Sequence, residues 1–168
     1  LDDIIGLLDM DALRERGLRV LFDAMHGSGS YPLEVILHTA RCTIDTINLN
    51  KDAFFGGQMP APTEKTLATL SNMVIVGDYD FGIAMDGDGD RLGIIDSNGR
   101  YIDANEVLCL LYYYLHEYKG YRGPVVRNIA STHKFPTSAT LSKANATDGP
   151  SLSRNGILSF QFRSDRPK

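Results

Sequence analysis

Apolar residues recur along positions 2–118 in two patterns, one with helical spacing and one confined to short apolar runs. Helical spacing predicts helices in residues 2–16, 31–41, 64–74 and 103–118. The first of these segments forms either one broken helix or two short helices, and each of the others forms a single helix. The short runs predict strands at residues 19–24, 43–48, 81–85 and 92–96. This alternation of helices and strands is typical of an α/β domain.

The connections between the predicted strands indicate how the strands pair. A helix separates the strands at 19–24 and 43–48, so we expect these two to be parallel. Only residues 86–91 separate the strands at 81–85 and 92–96, and a connection this short makes the pair antiparallel. We therefore predict a three-layer α/β/α domain with a small mixed sheet of about four strands, the last antiparallel.

Changes in composition divide the chain into three predicted parts. Residues 1–118 form the α/β/α domain, and residues 119–133 form a linker and the first strand, at 125–130, of a following domain. Residues 134–168 are rich in Ser and Thr and show no sustained period, so we expect a poorly ordered tail. The chain begins with Leu1 instead of Met, which suggests a fragment of a longer protein.

Overall composition limits the classes of function. The chain has 168 residues, 43% of them hydrophobic, and a formal net charge of -4 without a basic segment, so we expect no nucleic-acid partner. The longest apolar runs are far shorter than the ~20 residues that cross a bilayer, so we expect no membrane segment. Cys42 and Cys109 are isolated and are interpreted as small core residues, which favours a cytoplasmic location.

The segment between the antiparallel strands carries the strongest chemical signal. Asp86, Asp88 and Asp90 alternate with Gly87 and Gly89, so in an extended loop the three carboxylates share one side. At ~5 Å each carboxylate pair repels by roughly 1 to 3 kcal/mol, so the group calls for a cation. Oxygen ligands point to Mg²⁺, Ca²⁺ or Mn²⁺, and three carboxylates leave positions open for water or a substrate phosphate, as Mg²⁺ prefers.

Other interpretations of this acidic segment are weaker. An EF-hand needs Gly at loop position 6 and Glu at position 12, where this chain has Arg91 and Ser97. An acidic surface turn remains as the plain alternative, but apolar runs flank the segment on both sides. Arg91 directly follows the third aspartate, so it is a candidate phosphate contact as well as a partner of the aspartates.

Several other polar positions are candidates of lower specificity. Residues 26–30 could cradle a phosphate at a helix N-terminus, but a tight strand-to-helix turn explains them as well, and the flanks of Ser28 do not form a nucleophile elbow. His26 and His133 are weaker candidates for substrate contact. Residues 112–114 are three tyrosines that we interpret as helix surface and domain-interface contacts.

The acidic segment and its flanking strands resemble the magnesium loop of the α-D-phosphohexomutase family. The chain is similar to the phosphoglucomutase/phosphomannomutase branch, through the second of its four domains. The resemblance covers residues 1–133 and extends to the segments 23–29, 55–60, 105–108 and 125–133. It implies that Asp86, Asp88 and Asp90 hold Mg²⁺ and that Arg91 contacts a phosphate.

The resemblance also implies a reaction for the full-length protein. Family members move a phosphoryl group between the 1- and 6-oxygens of a hexose phosphate through a phosphoserine and a bisphosphorylated sugar. The phosphoserine loop of the first domain and the substrate loops of the third and fourth domains have no counterpart in this chain. We therefore expect its partners to be a hexose phosphate and those missing domains, and we expect the isolated chain to bind a divalent ion weakly and turn over nothing.

Two rival hypotheses remain open. One is a phosphatase in which Asp86 attacks the phosphoryl group, which a trapped acyl phosphate would identify. The tight antiparallel hairpin argues against it, as does the absence of a downstream Lys or paired acid placed for the remaining steps. The other is a non-catalytic module stabilised by Mg²⁺ or Ca²⁺, which predicts a thermal shift with metal and no affinity for sugar phosphates.

Overall fold

The computed structural model describes residues 1–121, which fall into two compact units, one spanning 1–102 and the other starting at Asp103. The helices of the first unit are α1 (Asp2–Leu7), α2 (Met10–Arg16), α3 (Ser30–Thr39) and α4 (Ala68–Val76), with a 3-10 turn at Phe55–Gly57. Its strands are β1 (Arg19–Asp23), β2 (Thr43–Ile47), β3 (Phe81–Met85), β4 (Leu92–Asp96) and β5 (Tyr101–Ile102). The second unit contains α5 (Ala104–Glu117).

The five strands form one mixed sheet in the order β2-β1-β3-β4-β5. β1 is parallel to β2 and β4 is antiparallel to β3, as the connections predicted. β1 is also parallel to β3, a pairing that the sequence did not predict. The predicted count of about four strands is corrected to five, because β5 pairs antiparallel with β4 through Ile94 and Ile102. Its two residues are too short to show a period in the sequence.

Each face of the sheet packs against helices, which confirms the predicted three-layer architecture. On one face Val20 of β1 packs with Leu37 of α3, and Leu13 of α2 joins this cluster. On the other face Leu21 of β1 packs with Leu70 and other residues of α4. Adjacent residues of β1 thus serve opposite cores, as the alternation of side chains along a strand requires.

Helix α4 lies directly on bare backbone of the hairpin. A β-carbon on Gly82 of β3 would lie 2.8 Å from Val74 Cγ2, and one on Gly93 of β4 would lie 2.6 Å from Leu67 Cδ1. Both glycines therefore permit a close approach that any side chain would prevent. The two strands that carry the acidic segment are consequently fixed from behind by this helix.

The predicted start of this helix was wrong. It begins at Ala68 instead of residue 64, and Leu67 takes the N-cap position without a side-chain hydrogen bond to the helix. The Thr66 hydroxyl donates to Ala61 O at 2.5 Å and the Thr66 N–H donates to Thr63 Oγ1, so these side chains form a turn before the helix. Threonine hydroxyls compete with the helical pattern in this way because they bond nearby backbone groups.

The N-terminal segment forms two short helices, one of the two forms predicted. Helix α2 begins with an Asp9 side chain that accepts from the Ala12 N–H and ends at Gly17, whose φ of 57° is left-handed. Within residues 1–121 the structure contains no helix with the length and apolar character needed to cross a membrane.

The described part of the second unit is α5 and the residues that follow it to position 121. Asp103 and Glu106 form a reciprocal capping box at the start of the helix. The three tyrosines at 112–114 are half-buried, and Tyr114 stacks on Tyr118. The predicted strand at 125–130, the predicted tail at 134–168 and His133 lie outside the described residues.

Candidate metal centre

The acidic segment, residues 86–91, leaves the sheet at the carboxyl end of β3. The segments that follow β1 and β2, residues 24–29 and 48–62, leave from the same edge because these three strands are parallel. Ligand sites of α/β sheets lie outside the carboxyl ends of their strands. Three loops therefore meet where the sequence placed its strongest chemical signal.

The structure brings the three predicted carboxylates together. One side-chain oxygen from each of Asp86, Asp88 and Asp90 lies within 4.8 Å of the others. Asp86 is completely buried, whereas Asp88 and Asp90 are exposed. The donors are hard anionic oxygens with one open side, a set that fits a hard dication.

Hydrogen bonds hold the Asp86 carboxylate in place. Its Oδ1 accepts from the backbone N–H groups of Gly89 at 3.0 Å and Arg91 at 3.1 Å, and its Oδ2 accepts from Arg91 Nε at 2.5 Å. Burial raises the pKa of Asp86, but the backbone N–H and the guanidinium of Arg91 outweigh it and hold this pKa below its usual range. The buried carboxyl is therefore ionised at neutral pH.

Asp90 shows the opposite effect. The negative charges of Asp88 and then Asp86 raise the pKa of Asp90, and Arg91 offsets them only in part. Since a like charge disfavours ionisation, the raised pKa reports an excess of negative charge in this group. The charge excess inferred from the sequence is thus present in the folded chain.

Arg91 lies beside this group and also reaches a neighbouring loop. Its Nε is 3.6 Å from Asp90 Oδ1, and its Nη2 donates to Pro60 O at 3.2 Å. The side chain is 59% exposed even though its Asp86 partner is fully buried. The guanidinium therefore contacts the buried Asp86 carboxylate, while more than half of the Arg91 side chain faces solvent at the edge of the sheet.

The loop after β1 supports the acidic segment, a role that the sequence interpretation missed. Gly87 O accepts from the Ser28 backbone N–H at 3.0 Å and from the Ser28 hydroxyl at 3.3 Å. A β-carbon on Gly27 would lie 2.6 Å from Asp86 O, so the two backbones touch. The Gly-Ser-Gly pattern at 27–29 was the available signal, because close backbone approach favours glycine.

The loop after β2 contacts the acidic segment from another direction. The ring of Phe55 lies 2.8 Å from the position that a β-carbon on Gly87 would take. His26, a predicted substrate-contact candidate, has its Nδ1 2.8 Å from Asn50 O and its Nε2 close to Gly56. In this structure His26 therefore joins two loops through backbone contacts.

Comparison with known proteins adds an independent line of argument. Residues 1–99 match the family model described as phosphoglucomutase/phosphomannomutase, alpha/beta/alpha domain II. This match contains every helix and strand from β1 to β4, as well as the acidic segment itself. It therefore covers more than half of the chain.

Relatives and a solved structure agree with this match. The chain is 34% identical over 111 residues to a Methanobrevibacter smithii protein named as a probable phosphoglucosamine mutase, covering 66% of the chain and 24% of that protein. It is 32% identical over 111 residues to a Thermococcus kodakarensis phosphoglucomutase/phosphomannomutase, with the same coverage. A Thermus thermophilus crystal structure, described as that of a phosphomannomutase, superposes with a TM-score of 0.70 at 28% identity, covering 77% of this chain and 30% of that one.

The chain spans about a quarter of the length of these curated relatives, 24% in each case. The matched region and the observed α/β/α layers coincide with one domain of a larger protein. The chain belongs to the phosphoglucomutase/phosphomannomutase family, through its alpha/beta/alpha domain II.

Proposed function

We propose that this chain is the metal-binding domain of a sugar-phosphate mutase, with Asp86, Asp88 and Asp90 as the ligands of Mg²⁺. The observation that carries the proposal is the convergence of one oxygen from each carboxylate within 4.8 Å, in a chain of this family. Mg²⁺ is favoured because it binds hard oxygen ligands and keeps several positions for water and substrate phosphate. The two exposed aspartates leave that open side.

The bound ion would neutralise charge on a phosphoryl group during its transfer between a protein serine and the sugar. The chain's own residues would hold and orient the reacting group. Asp86, fixed by three hydrogen bonds, sets the position of the site, and Arg91 is proposed to contact the phosphoryl oxygens with its guanidinium. This division of roles follows from the burial of Asp86 and the exposure of Arg91.

Sugar choice is proposed to reside outside this chain. The relatives carry different sugar names, one a phosphoglucosamine mutase and another a phosphoglucomutase/phosphomannomutase, although both match this chain over 111 residues. A domain shared by enzymes of different specificity is suited to the step they have in common, which is phosphoryl transfer. The nucleophilic serine and the sugar contacts would therefore come from the other domains.

The test is a calorimetric titration of the chain with MgCl₂ and, separately, CaCl₂. Asp88→Asn should lower Mg²⁺ affinity by at least about tenfold, since even partners of metal ligands are worth 10- to 100-fold. Asp3→Asn is the matched control, because it removes the same charge from the exposed first turn of α1. Its affinity should equal that of the unaltered chain.

Contrary outcomes are clear. Equal affinities for Asp88→Asn and Asp3→Asn would remove the proposed ligand set, and absence of heat with either ion would reject a metal-binding role. Binding of metal by a full-length relative carrying this domain without any mutase activity would favour the non-catalytic module. The phosphatase alternative is disfavoured, because Asp86 lies in a tight hairpin between β3 and the antiparallel β4.

A further inference from the structure

We infer that Arg91 is an internal counter-ion of the acidic segment, which a divalent cation displaces from Asp86 and thereby releases toward an anion. The inference rests on the proposed function, since it concerns how the same site changes between its metal-free and metal-bound forms. It assigns Arg91 two alternative partners in place of one fixed role. In this structure its partner is the Asp86 carboxylate.

Asp86 carries a buried negative charge. This carboxylate is 0% exposed, and a buried carboxylate needs a cation or several donors to remain ionised. Two backbone N–H groups serve its Oδ1, and the guanidinium serves its Oδ2. Arg91 therefore supplies the positive charge for this carboxylate when no ion is bound.

Arg91 and a bound ion would compete for Asp86 Oδ2. Because Oδ1 already accepts two N–H groups, Oδ2 is the oxygen with capacity left for an ion shared with Asp88 and Asp90. Arg91 Nε occupies that oxygen and also lies 3.6 Å from Asp90 Oδ1. A dication bound to the same carboxylates would be within a few ångströms of the guanidinium, where like charges repel strongly.

The Arg91 guanidinium lies next to solvent, into which it could move. Its Nη2 donates to Pro60 O, at the surface, and the side chain is already more than half exposed. Release from Asp86 therefore needs rotation of an exposed side chain and no movement of the sheet. A freed guanidinium offers paired N–H donors that match a phosphate.

The inference predicts that Arg91→Gln binds Mg²⁺ more tightly than the unaltered chain, by about threefold to tenfold, since an internal competitor has been removed. A guanidinium that keeps its contact with Asp86 would also repel Mg²⁺, so the gain in Arg91→Gln must be accompanied by the shift of the Arg91 Nε–H resonance described below. Arg91→Lys, which keeps the charge but loses the Nε donor, should fall between the two. Arg100→Gln is the matched control, because Arg100 is an exposed arginine that pairs with Asp96 at the other end of β4.

The measurements are calorimetric titrations with MgCl₂ and a direct spectroscopic signal. In the metal-free chain the Nε–H of Arg91 should give a slowly exchanging resonance in a ¹H–¹⁵N spectrum, assigned by its loss in Arg91→Gln. Addition of MgCl₂ should shift this resonance toward the exposed arginines or broaden it. Inorganic phosphate should then bind the unaltered chain more tightly with Mg²⁺ than without it, and Arg91→Gln should lose this gain.

The outcomes separate the inference from the proposed function. If the unaltered chain binds Mg²⁺ and Arg91→Gln binds it equally or more weakly while remaining folded by circular dichroism, the displacement is wrong and the metal site stands. If the Nε–H signal is unmoved at saturating Mg²⁺, the displacement is wrong as well. If neither protein binds Mg²⁺, the proposed function fails and the inference fails with it.

Discussion

The repulsion among the three carboxylates of the acidic segment acts on Asp90. Its pKa is raised by Asp88 and Asp86, so its ionised form is disfavoured in the folded chain. Asp86, in contrast, has a lowered pKa because backbone and guanidinium donors outweigh its burial. One carboxylate of the group therefore stabilises the fold when ionised, and another destabilises it.

These shifts predict that Asp90→Asn stabilises the metal-free chain at neutral pH. An acid whose folded pKa is raised weakens the fold above that pKa, and the effect disappears below the unfolded value of about 3.9, where both states are protonated. The melting temperature of Asp90→Asn should therefore exceed that of the unaltered chain at pH 7, and the two should converge by about pH 3.

The measurement is a series of thermal melts in chelator across this pH range. A second series in excess MgCl₂ provides the comparison. With the ion present the order should reverse, because Asp90 then contributes a ligand. A lower melting temperature of Asp90→Asn in chelator at pH 7 would contradict the charge excess described here. Asp3→Asn again serves as the control for loss of one charge.

At the scale of elements, the loop after β1 acts as a template for the acidic segment. Ser28 holds Gly87 O through its backbone and hydroxyl, and Gly27 touches the backbone of Asp86. Helix α4 supports the same hairpin from behind through Gly82 and Gly93. The acidic segment is therefore positioned by contacts on several sides, and these contacts come from distant parts of the chain.

The template predicts that Gly27→Ala damages the metal site. Its β-carbon would lie 2.6 Å from Asp86 O, so the acidic segment must shift, at a cost of about 1 to 3 kcal/mol of unfolding free energy. Mg²⁺ affinity should fall as well, because the ligand loop moves. Denaturant unfolding and Mg²⁺ titration of the same preparation measure both effects.

Gly6→Ala is the matched control for this prediction. Nothing lies within 4 Å of a β-carbon at Gly6, which belongs to α1, so the change should leave Mg²⁺ affinity unaltered and stability equal or slightly higher. Unchanged affinity and stability in Gly27→Ala would show that the loop after β1 does not position the acidic segment.

At the scale of the whole molecule, the sequence predicted the layers and the carboxylate group but not what surrounds that group. Local patterns suffice for the hairpin, because residues 81–96 are contiguous and their apolar runs are distinct. The position of β1 beside β3 depends on a contact between segments about 60 residues apart, which no local period reveals. For this reason the contacts of Gly27, Ser28 and Phe55 with the acidic segment were missed.

The same scale sets the expectation for activity. The chain spans 24% of the curated relatives' length, and the acidic segment is proposed to supply only metal ligands. We therefore predict no isomerisation of glucose 1-phosphate or mannose 1-phosphate by this chain in MgCl₂, because the group that accepts and returns the phosphoryl would come from another domain. A coupled assay for the 6-phosphate checks this, and turnover that depends on Asp88 would overturn it.

Six consecutive residues carry all three acidic side chains of the site, while Gly27, Ser28, Phe55 and Pro60 hold that hexapeptide in shape. A proposed ligand set this short suggests that the peptide could be moved into the turn of an unrelated hairpin. The transplanted peptide would keep its three carboxylates but lose the contacts with neighbouring loops that orient them. Engineering the site elsewhere therefore requires grafting a junction of three loops.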